Sequence, residues 1–123
     1  LVQQSAPHVA VMASGDEHLL TSFVLGTEGS IVSLAAVIPE VVVALYEAVQ
    51  SGELKAAQAA HAIVYPLARA IYGRDPASHA TARLKTCLKL IGVLESDRVR
   101  PPLGKLDIDE VKALQKALDQ AGR

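Results

Sequence analysis

The stretch that decides the fold is SGDEHLLTSFVLGTEGSIVSL, residues 14–34. It begins where an apolar run, residues 8–13, ends abruptly in the Gly-Asp-Glu of positions 15–17, and it closes on a second apolar run at residues 30–34. About one helix length lies between the runs, with helical apolar spacing and Gly26 as a C-terminal stop. This strand, helix, strand order predicts a parallel pair of buried strands whose carboxyl ends meet at one edge.

The rest of the chain predicts helices and no further strand. The predicted helices are residues 40–50 with Pro39 in the first turn, 53–72, 78–93, and 108–120 with Asp107 as the N-cap. Pro66 lies inside the second of these helices and should kink or break it. Residues 100–103, Arg-Pro-Pro-Leu, predict an extended segment.

Two strands do not form a stable sheet by themselves. A parallel pair that is apolar on both faces needs neighbouring strands and helices to cover it. The sequence also starts at Leu1 without an initiator Met, in a polar segment. We therefore expect this chain to be part of a larger fold.

Composition excludes several classes of function. The chain has 123 residues, half of them hydrophobic, which predicts one domain with a core of ordinary size. The net charge of −1 gives no electrostatic case for binding nucleic acid or a membrane surface. The single cysteine, Cys87, excludes an internal disulfide or a zinc cluster and is expected in the core. No apolar stretch is long enough for a transmembrane helix and no signal peptide is visible, so we expect a cytoplasmic protein.

Candidate functional residues follow the two predicted strands, because parallel α/β folds gather function at the carboxyl ends of their strands. Gly15 permits a close backbone approach to a ligand, the Asp16 and Glu17 carboxylates can accept hydrogen bonds from substrate hydroxyls, and the Ser33 hydroxyl can donate to a carboxylate. A second interpretation is that Asp16 and Glu17 are N-cap and first-turn charges of the helix that follows. Local sequence favours capping.

Other chemistry-bearing residues form no recognisable site. The four histidines lack metal-ligand spacing, and Gly26 and Gly29 do not form a nucleotide-binding loop. Lys85 and Lys89 flank an apolar helical stripe, where their stems cover apolar surface. We therefore expect no metal and no cofactor. The histidines are His8, His18, His61 and His79.

The motifs, taken in order, resemble those of a known family. SGDEHLL, LGTEGSIVSLAAVIPE, ALYEAVQSGELKAAQ and RVRPPLGKL resemble the dihydrodipicolinate synthase and N-acetylneuraminate lyase family. Members of that family are Schiff-base aldolases built on a (β/α)8 TIM barrel with a C-terminal helical extension. The resemblance covers nearly the whole chain and is most specific at three places: residues 15–17, residues 25–33 and residues 100–103.

The resemblance implies an α/β fold that is the C-terminal part of such a barrel. Residues 1–51 would be its last two βα units, with residues 1–7 as the tail of helix six. Residues 8–13 would be strand seven, residues 30–34 strand eight, and residues 39–50 helix eight. Residues 52–123 would be the C-terminal helical extension.

The resemblance also implies site residues and partners. The family's imine-forming lysine and proton-relay tyrosine belong to strands six and five, which are absent from this chain, so the chain alone would be inactive. Substrate would be a small keto acid such as pyruvate, and the assembly a homotetramer or dimer. The implied substrate contacts are Ser14 and Gly15 as a backbone wall, Asp16 and Glu17 as an acidic pair, the Ile31 carbonyl facing the lysine, and Ser33. Ala36 stands where the family commonly carries Asn.

Two alternatives to the aldolase interpretation stay open at the level of sequence. The chain could be a non-catalytic helical module that binds a partner through the exposed edge of its strands. It could also be an independently folding enzyme with an unrecognised site. Parallel pairing of the two strands separates the barrel interpretation from these alternatives, since strands that lie antiparallel or are sealed inside a helical bundle would contradict it.

Overall fold

The computed structural model describes residues 2–5 and 8–123, without the side chains of Gln3 and Ser5. Leu1, Ala6 and Pro7, which belong to the predicted tail of helix six, lie outside the described residues. The elements, in chain order, are α1 (Val2–Ser5), β1 (Met12–Ala13), α2 (Leu19–Val24), β2 (Gly29–Ser30), α3 (Pro39–Gln50), α4 (Leu54–Tyr72), α5 (Ala80–Leu90) and α6 (Ile108–Gln120). Short 3₁₀ helices precede three of the α-helices, at Asp16–His18, Ser33–Ala36 and Ala77–His79.

The chain divides into two compact units, Leu1–Tyr65 and Pro66–Arg123, and the boundary falls inside α4. The predicted boundary between residues 51 and 52 separates the barrel units from the C-terminal extension. A division into compact units does not test that boundary, so it stays a prediction. Helix α4 continues through Pro66, which excludes the predicted break at that residue. Proline still removes one backbone N–H group from the hydrogen bonds of the helix, and bending is the remaining consequence.

The predicted parallel pairing of the two strands is confirmed. Met12 lies opposite Gly29, and Ala13 lies opposite Ser30. Both strands are much shorter than predicted, because β1 covers only the end of residues 8–13 and the chain after β2 turns into a 3₁₀ helix at Ser33. Each strand has one neighbour among the described residues, and a ladder extends only as far as its partner allows.

The strands leave apolar surface exposed within this chain, as expected for a parallel pair that lacks its neighbouring strands and helices. The exposed fraction is 61% at Val9, 44% at Met12 and 76% at Ile31. Ala13, in contrast, is 4% exposed. A two-stranded sheet covers little of its own apolar surface, so these side chains remain accessible without further neighbours.

Helices α2 and α3 pack against each other and build the core of the first unit. Phe23 and Tyr46 meet edge to face, with ring centroids 5.1 Å apart and an interplanar angle of 77°. The Tyr46 hydroxyl donates to the Glu28 carbonyl at 3.0 Å, which ties α3 to the residue just before β2. Completely buried side chains of this unit include Leu19, Leu34, Ile38 and Leu45.

The apolar faces predicted for the later helices are largely confirmed. In α4, Ala57, Val64, Leu67 and Ile71 are completely buried, whereas Leu54 is 59% exposed because it is the first residue of the helix. Helix α6 begins as predicted, since the Asp107 carboxylate accepts a hydrogen bond from the backbone N–H of Glu110 at 2.7 Å. The predicted helix at residues 78–93 is shorter, with an α-helical part that ends at Leu90.

The segment at residues 100–103 forms a turn and not the predicted extended stretch. The backbone N–H of Leu103 donates to the Arg100 carbonyl at 3.1 Å. Two successive prolines lie between these residues, and neither has an N–H group to offer to a ladder. Pro101 and Pro102 therefore form the two central residues of a turn.

A buried arginine organises the second unit, and its local sequence gives no sign of this role. Arg83 is completely buried, and its guanidinium lies 2.8 Å from the Glu110 carboxylate. The same guanidinium donates to the backbone carbonyls of Ile71 at 3.1 Å, Arg74 at 2.9 Å and Asp75 at 3.2 Å. One side chain thus joins α5 to α6, to the end of α4 and to the loop after it.

Candidate active site

The carboxyl ends of the two strands lie side by side, as the sequence predicts for a parallel pair. The backbone N–H of Glu28 donates to the Val11 carbonyl at 2.9 Å, and the backbone N–H of Ile31 donates to the Ala13 carbonyl at 3.0 Å. These two bonds bracket the ladder and fix its register. The residues that follow β1 therefore stand next to the residues that follow β2.

Gly15 makes the turn that leaves β1. Its φ of +90° and ψ of +96° lie where residues with a side chain are strained. A Cβ at this position would have only the His18 ring, at 3.8 Å, within 4 Å. The glycine is needed for backbone conformation and not for space. Its carbonyl accepts from the backbone N–H of His18 at 3.0 Å, which starts the 3₁₀ helix Asp16–His18.

Asp16 is 7% exposed, and its Oδ1 accepts a hydrogen bond from the backbone N–H of Leu34 at 2.7 Å. This bond links the end of β1 to the 3₁₀ helix Ser33–Ala36 after β2. Asp16 and Glu17 also occupy the first turn of the helical segment that follows Gly15, whose N-cap is Gly15 itself. The Asp16 carboxylate therefore serves the neighbouring strand end, a role that neither interpretation of the sequence named.

The other predicted site residues are accessible at the same edge. Ser14, Gly15 and Ser33 are exposed, Glu17 is half-buried, and Ile31 is 76% exposed. The structure thus brings the two predicted groups, residues 14–17 and residues 31–33, together at one edge. Hydroxyl, carboxylate and backbone groups at such an edge can bind the hydroxyl and carboxylate groups of a small polar ligand.

A cavity of about 460 Å³ opens beside β1. Ser14 is the predicted site residue that lines it, together with Met12 and Ala13 from the strand. Thr27, which the sequence analysis missed, lines the same cavity; it is 7% exposed, and its hydroxyl donates to the Ser22 carbonyl at 3.1 Å. The only sequence signal for it is its place directly after the helix stop at Gly26.

The thiol of Cys87 is an inert core group. Cys87 is completely buried, and burial raises the pKa of its thiol to about 12. The backbone hydrogen bond at the same residue acts in the opposite direction but more weakly. A thiol with such a pKa stays protonated near neutral pH, when it is a poor nucleophile.

Within residues 2–5 and 8–123, His, Cys, Asp and Glu side chains form no group of three that could hold a metal ion. The ammonium group of Lys89 lies 3.0 Å from the Asp97 carboxylate, and that of Lys85 donates to the Arg98 carbonyl.

In the same described part of the chain, no helix combines the length and apolar character needed to span a membrane.

Comparison with known proteins gives the family. The model of the Dihydrodipicolinate synthetase family matches residues 1–121. The chain belongs to this family. Among curated relatives, an uncharacterised DapA-like lyase of Halobacterium salinarum is 34% identical over 116 residues, covering 94% of this chain and 36% of the relative. A 4-hydroxy-tetrahydrodipicolinate synthase of Methanopyrus kandleri is 31% identical over 120 residues, covering 97% of this chain and 38% of the relative.

Solved structures of family members share the fold. Dihydrodipicolinate synthase from Bacteroides thetaiotaomicron superimposes with a TM-score of 0.80 at 27% identity, over 95% of this chain and 39% of that chain. N-acetylneuraminate lyase from Fusobacterium nucleatum has the same TM-score at 22% identity, over 97% and 39%, and this likeness concerns the fold alone. The dihydrodipicolinate synthase neighbours are TIM barrels, so the parallel strand pair with its helices corresponds to part of a barrel.

Proposed function

We propose that this chain is the C-terminal part of a Schiff-base-forming 2-oxo-acid aldolase or lyase of the dihydrodipicolinate synthase type. The chain spans 36% and 38% of the length of the two curated relatives above, so the activity belongs to the whole protein. In this proposal β1 and β2 belong to barrel strands seven and eight, and residues 52–123 are the C-terminal extension. The protein works in the cytoplasm as a homo-oligomer.

One observation carries the proposal: the two strand ends are bound to each other and still present accessible groups. The Asp16–Leu34 hydrogen bond holds the edge together, while Ser14, Ile31 and Ser33 remain exposed. In TIM-barrel enzymes this edge carries the active site. Family membership makes lyase chemistry at this edge the best-supported function.

We infer a division of roles among the predicted contacts. Ser14 and Gly15 form the wall beside the reacting amine, the Ile31 carbonyl faces that amine, and Ser33 contacts substrate. Glu17, which is half-buried, is the carboxylate of the acidic pair that meets substrate hydroxyls. Asp16 positions the edge and does not itself bind the substrate, because its Oδ1 accepts the hydrogen bond from Leu34 and the residue is only 7% exposed.

The chemistry requires an amine that residues 1–123 do not supply in this proposal. A lysine of lowered pKa on strand six attacks the keto carbon of pyruvate or a related acid, water leaves, and an imine forms. Loss of a proton gives an enamine, which attacks the carbonyl carbon of a second substrate and forms a carbon–carbon bond. In the cleavage direction the imine of the larger substrate accepts the electron pair of the breaking carbon–carbon bond, and the enamine is left. A tyrosine on strand five relays the protons.

The test is imine trapping on the protein as its gene encodes it. Borohydride reduces an imine to a stable secondary amine, so incubation with pyruvate and borohydride should leave a covalent pyruvate adduct visible by intact mass. Peptide mapping should place the adduct on a lysine outside residues 1–123. An unmodified protein would refute the proposed mechanism, and an adduct on a lysine of this chain would refute the assignment of its strands.

A further inference from the structure

A second cavity, far along the sequence from the strand ends, is lined by three basic residues. It measures about 480 Å³ and lies within the second unit, between α5 and the segment after it. Lys85, Arg98 and Arg100 line it with Thr81, Val99 and Leu103. Its lining contains no carboxylate. We propose that this cavity binds the phosphate group of a small phosphorylated molecule.

The three cations are not neutralised within the described part of the chain. Two ion pairs described in this unit join Arg83 to Glu110 and Lys89 to Asp97, and neither involves Lys85, Arg98 or Arg100. Asp97 belongs to the same segment as the two arginines, but its carboxylate is held by Lys89, which lowers the pKa of Asp97. A cavity wall of one sign of charge attracts the opposite sign, so the expected ligand is an anion.

The backbone around the two arginines is held in place without a ligand. The Lys85 ammonium group donates to the Arg98 carbonyl, which fastens the segment to α5. The backbone N–H of Arg98 donates to the Ser96 hydroxyl at 3.3 Å, and the backbone N–H of Leu103 donates to the Arg100 carbonyl at 3.1 Å. Binding therefore needs only the side-chain ends to adjust, and preorganised sites lose less entropy on binding.

Side-chain chemistry favours phosphate over other anions. A guanidinium group has a planar fork of donors that matches phosphate oxygens in pairs, and two such groups with one ammonium suit a dianion. The cavity falls within the range of about 300–1,000 Å³ typical of small-molecule sites. Val99 and Leu103 offer apolar contact to the rest of the ligand, and the Thr81 hydroxyl offers a further polar contact.

Calorimetric titration of the protein as its gene encodes it, at fixed ionic strength, tests the proposal with inorganic phosphate and glycerol 3-phosphate as probes. Saturable binding is expected, with glycerol 3-phosphate the tighter ligand. In the double variant Arg98→Gln/Arg100→Gln, affinity should fall by about tenfold or more, because each arginine contributes charge-assisted hydrogen bonds. The matched control is Lys112→Gln/Lys116→Gln, which removes the same charge from exposed positions of α6 and should bind as the parent does.

Three results would overturn the inference: no saturable binding by the parent protein, equal loss in the control pair, or binding of succinate as tight as that of phosphate. The last result would assign the cavity to carboxylates. Arg100→Gln alone serves as a second variant, since Arg100 is exposed. Imine trapping with pyruvate is measured on the same variants and should be unchanged, so the two proposals fail independently.

Discussion

Oδ1 of Asp16 accepts a hydrogen bond from the backbone N–H of Leu34 at 2.7 Å, and this bond joins the chain after one strand to the chain after the next. Both groups are buried, since Asp16 is 7% exposed and Leu34 is completely buried. A buried N–H group that loses its acceptor carries the full cost of its desolvation. The candidate active edge therefore depends on one carboxylate for its shape.

Replacing Asp16 by Ala should lower the free energy of unfolding by about 1–3 kcal/mol, because Leu34 N–H would lose its partner. Asp16→Asn keeps an oxygen acceptor and should lose less. The free energies come from urea denaturation followed by circular dichroism. The control is Glu28→Ala, which removes an exposed carboxylate from the same unit and should stay within about 0.5 kcal/mol of the parent. Equal losses for Asp16→Ala and Glu28→Ala would contradict the role given to this bond.

Gly15→Ala should destabilise the protein by about 1–2 kcal/mol, because its φ of +90° is unfavourable for any residue with a Cβ. Steric contact adds nothing, since the closest neighbour would lie at 3.8 Å. Gly104→Ala is the matched control: it has open space and no left-handed backbone, so it should be neutral or slightly stabilising. The measurement is the thermal unfolding midpoint of both variants. A Gly15→Ala protein as stable as the parent would show that the backbone of the turn can relax.

Arg83→Met should cost about 3–5 kcal/mol, since it leaves the Glu110 carboxylate without its buried partner. The comparison is Lys89→Met, which breaks an exposed pair and should cost at most about 1 kcal/mol. A double variant, Arg83→Met/Glu110→Met, should recover part of the loss. Guanidinium denaturation of the parent, Arg83→Met, Glu110→Met and the double variant gives the coupling energy of the pair, and a coupling near zero would contradict the prediction.

The Cys87 thiol should be unreactive toward a disulfide reagent in the folded protein at pH 8 and should react on unfolding. Its pKa in the folded state is raised from 9.0 to about 12, so between these values the unfolded state loses a proton that the folded state keeps. Stability therefore falls as pH rises through this range, by at most about 1.4 kcal/mol per pH unit from this group. Cys87→Ala should show a shallower decline when the two proteins are denatured in urea at pH 9–11. Parallel pH dependences would contradict this expectation.

Local sequence patterns predict the helices α3, α4 and α6 and the cap at Asp107, because each depends on the spacing of residues within a few turns of one another. The parallel pair follows from the order of strand, helix and strand. The strand lengths were overestimated, since the length of a ladder depends on the partner strand and not on the apolar run itself. Residues 31–34 are apolar enough for a strand, yet the Asp16 carboxylate binds Leu34 and the chain turns into a 3₁₀ helix at Ser33.

Long-range polar contacts were beyond the reach of the sequence. Arg83 has the pattern of an ordinary helix cation, and its burial depends on three backbone carbonyls and a carboxylate 27 residues away. The cavity lined by Lys85, Arg98 and Arg100 could not be predicted either. The segment that forms one of its walls turns at Pro101 and Pro102, whereas its local sequence predicts an extended stretch. The predicted contacts at residues 14–17, 31 and 33 met at one edge because they follow directly from the order of strand and helix.

The contacts of Arg83 also determine where the chain tolerates a change of length. Its guanidinium holds the last turn of α4 through Ile71 and the following loop through Arg74 and Asp75, and a Cβ at Gly73 would lie 2.8 Å from the Arg69 carbonyl oxygen. An insertion at residues 73–76 would displace the Arg74 and Asp75 carbonyls and leave the buried guanidinium with fewer hydrogen-bond partners. Gly104, with nothing near its missing side chain, is the place where added residues should be accommodated instead.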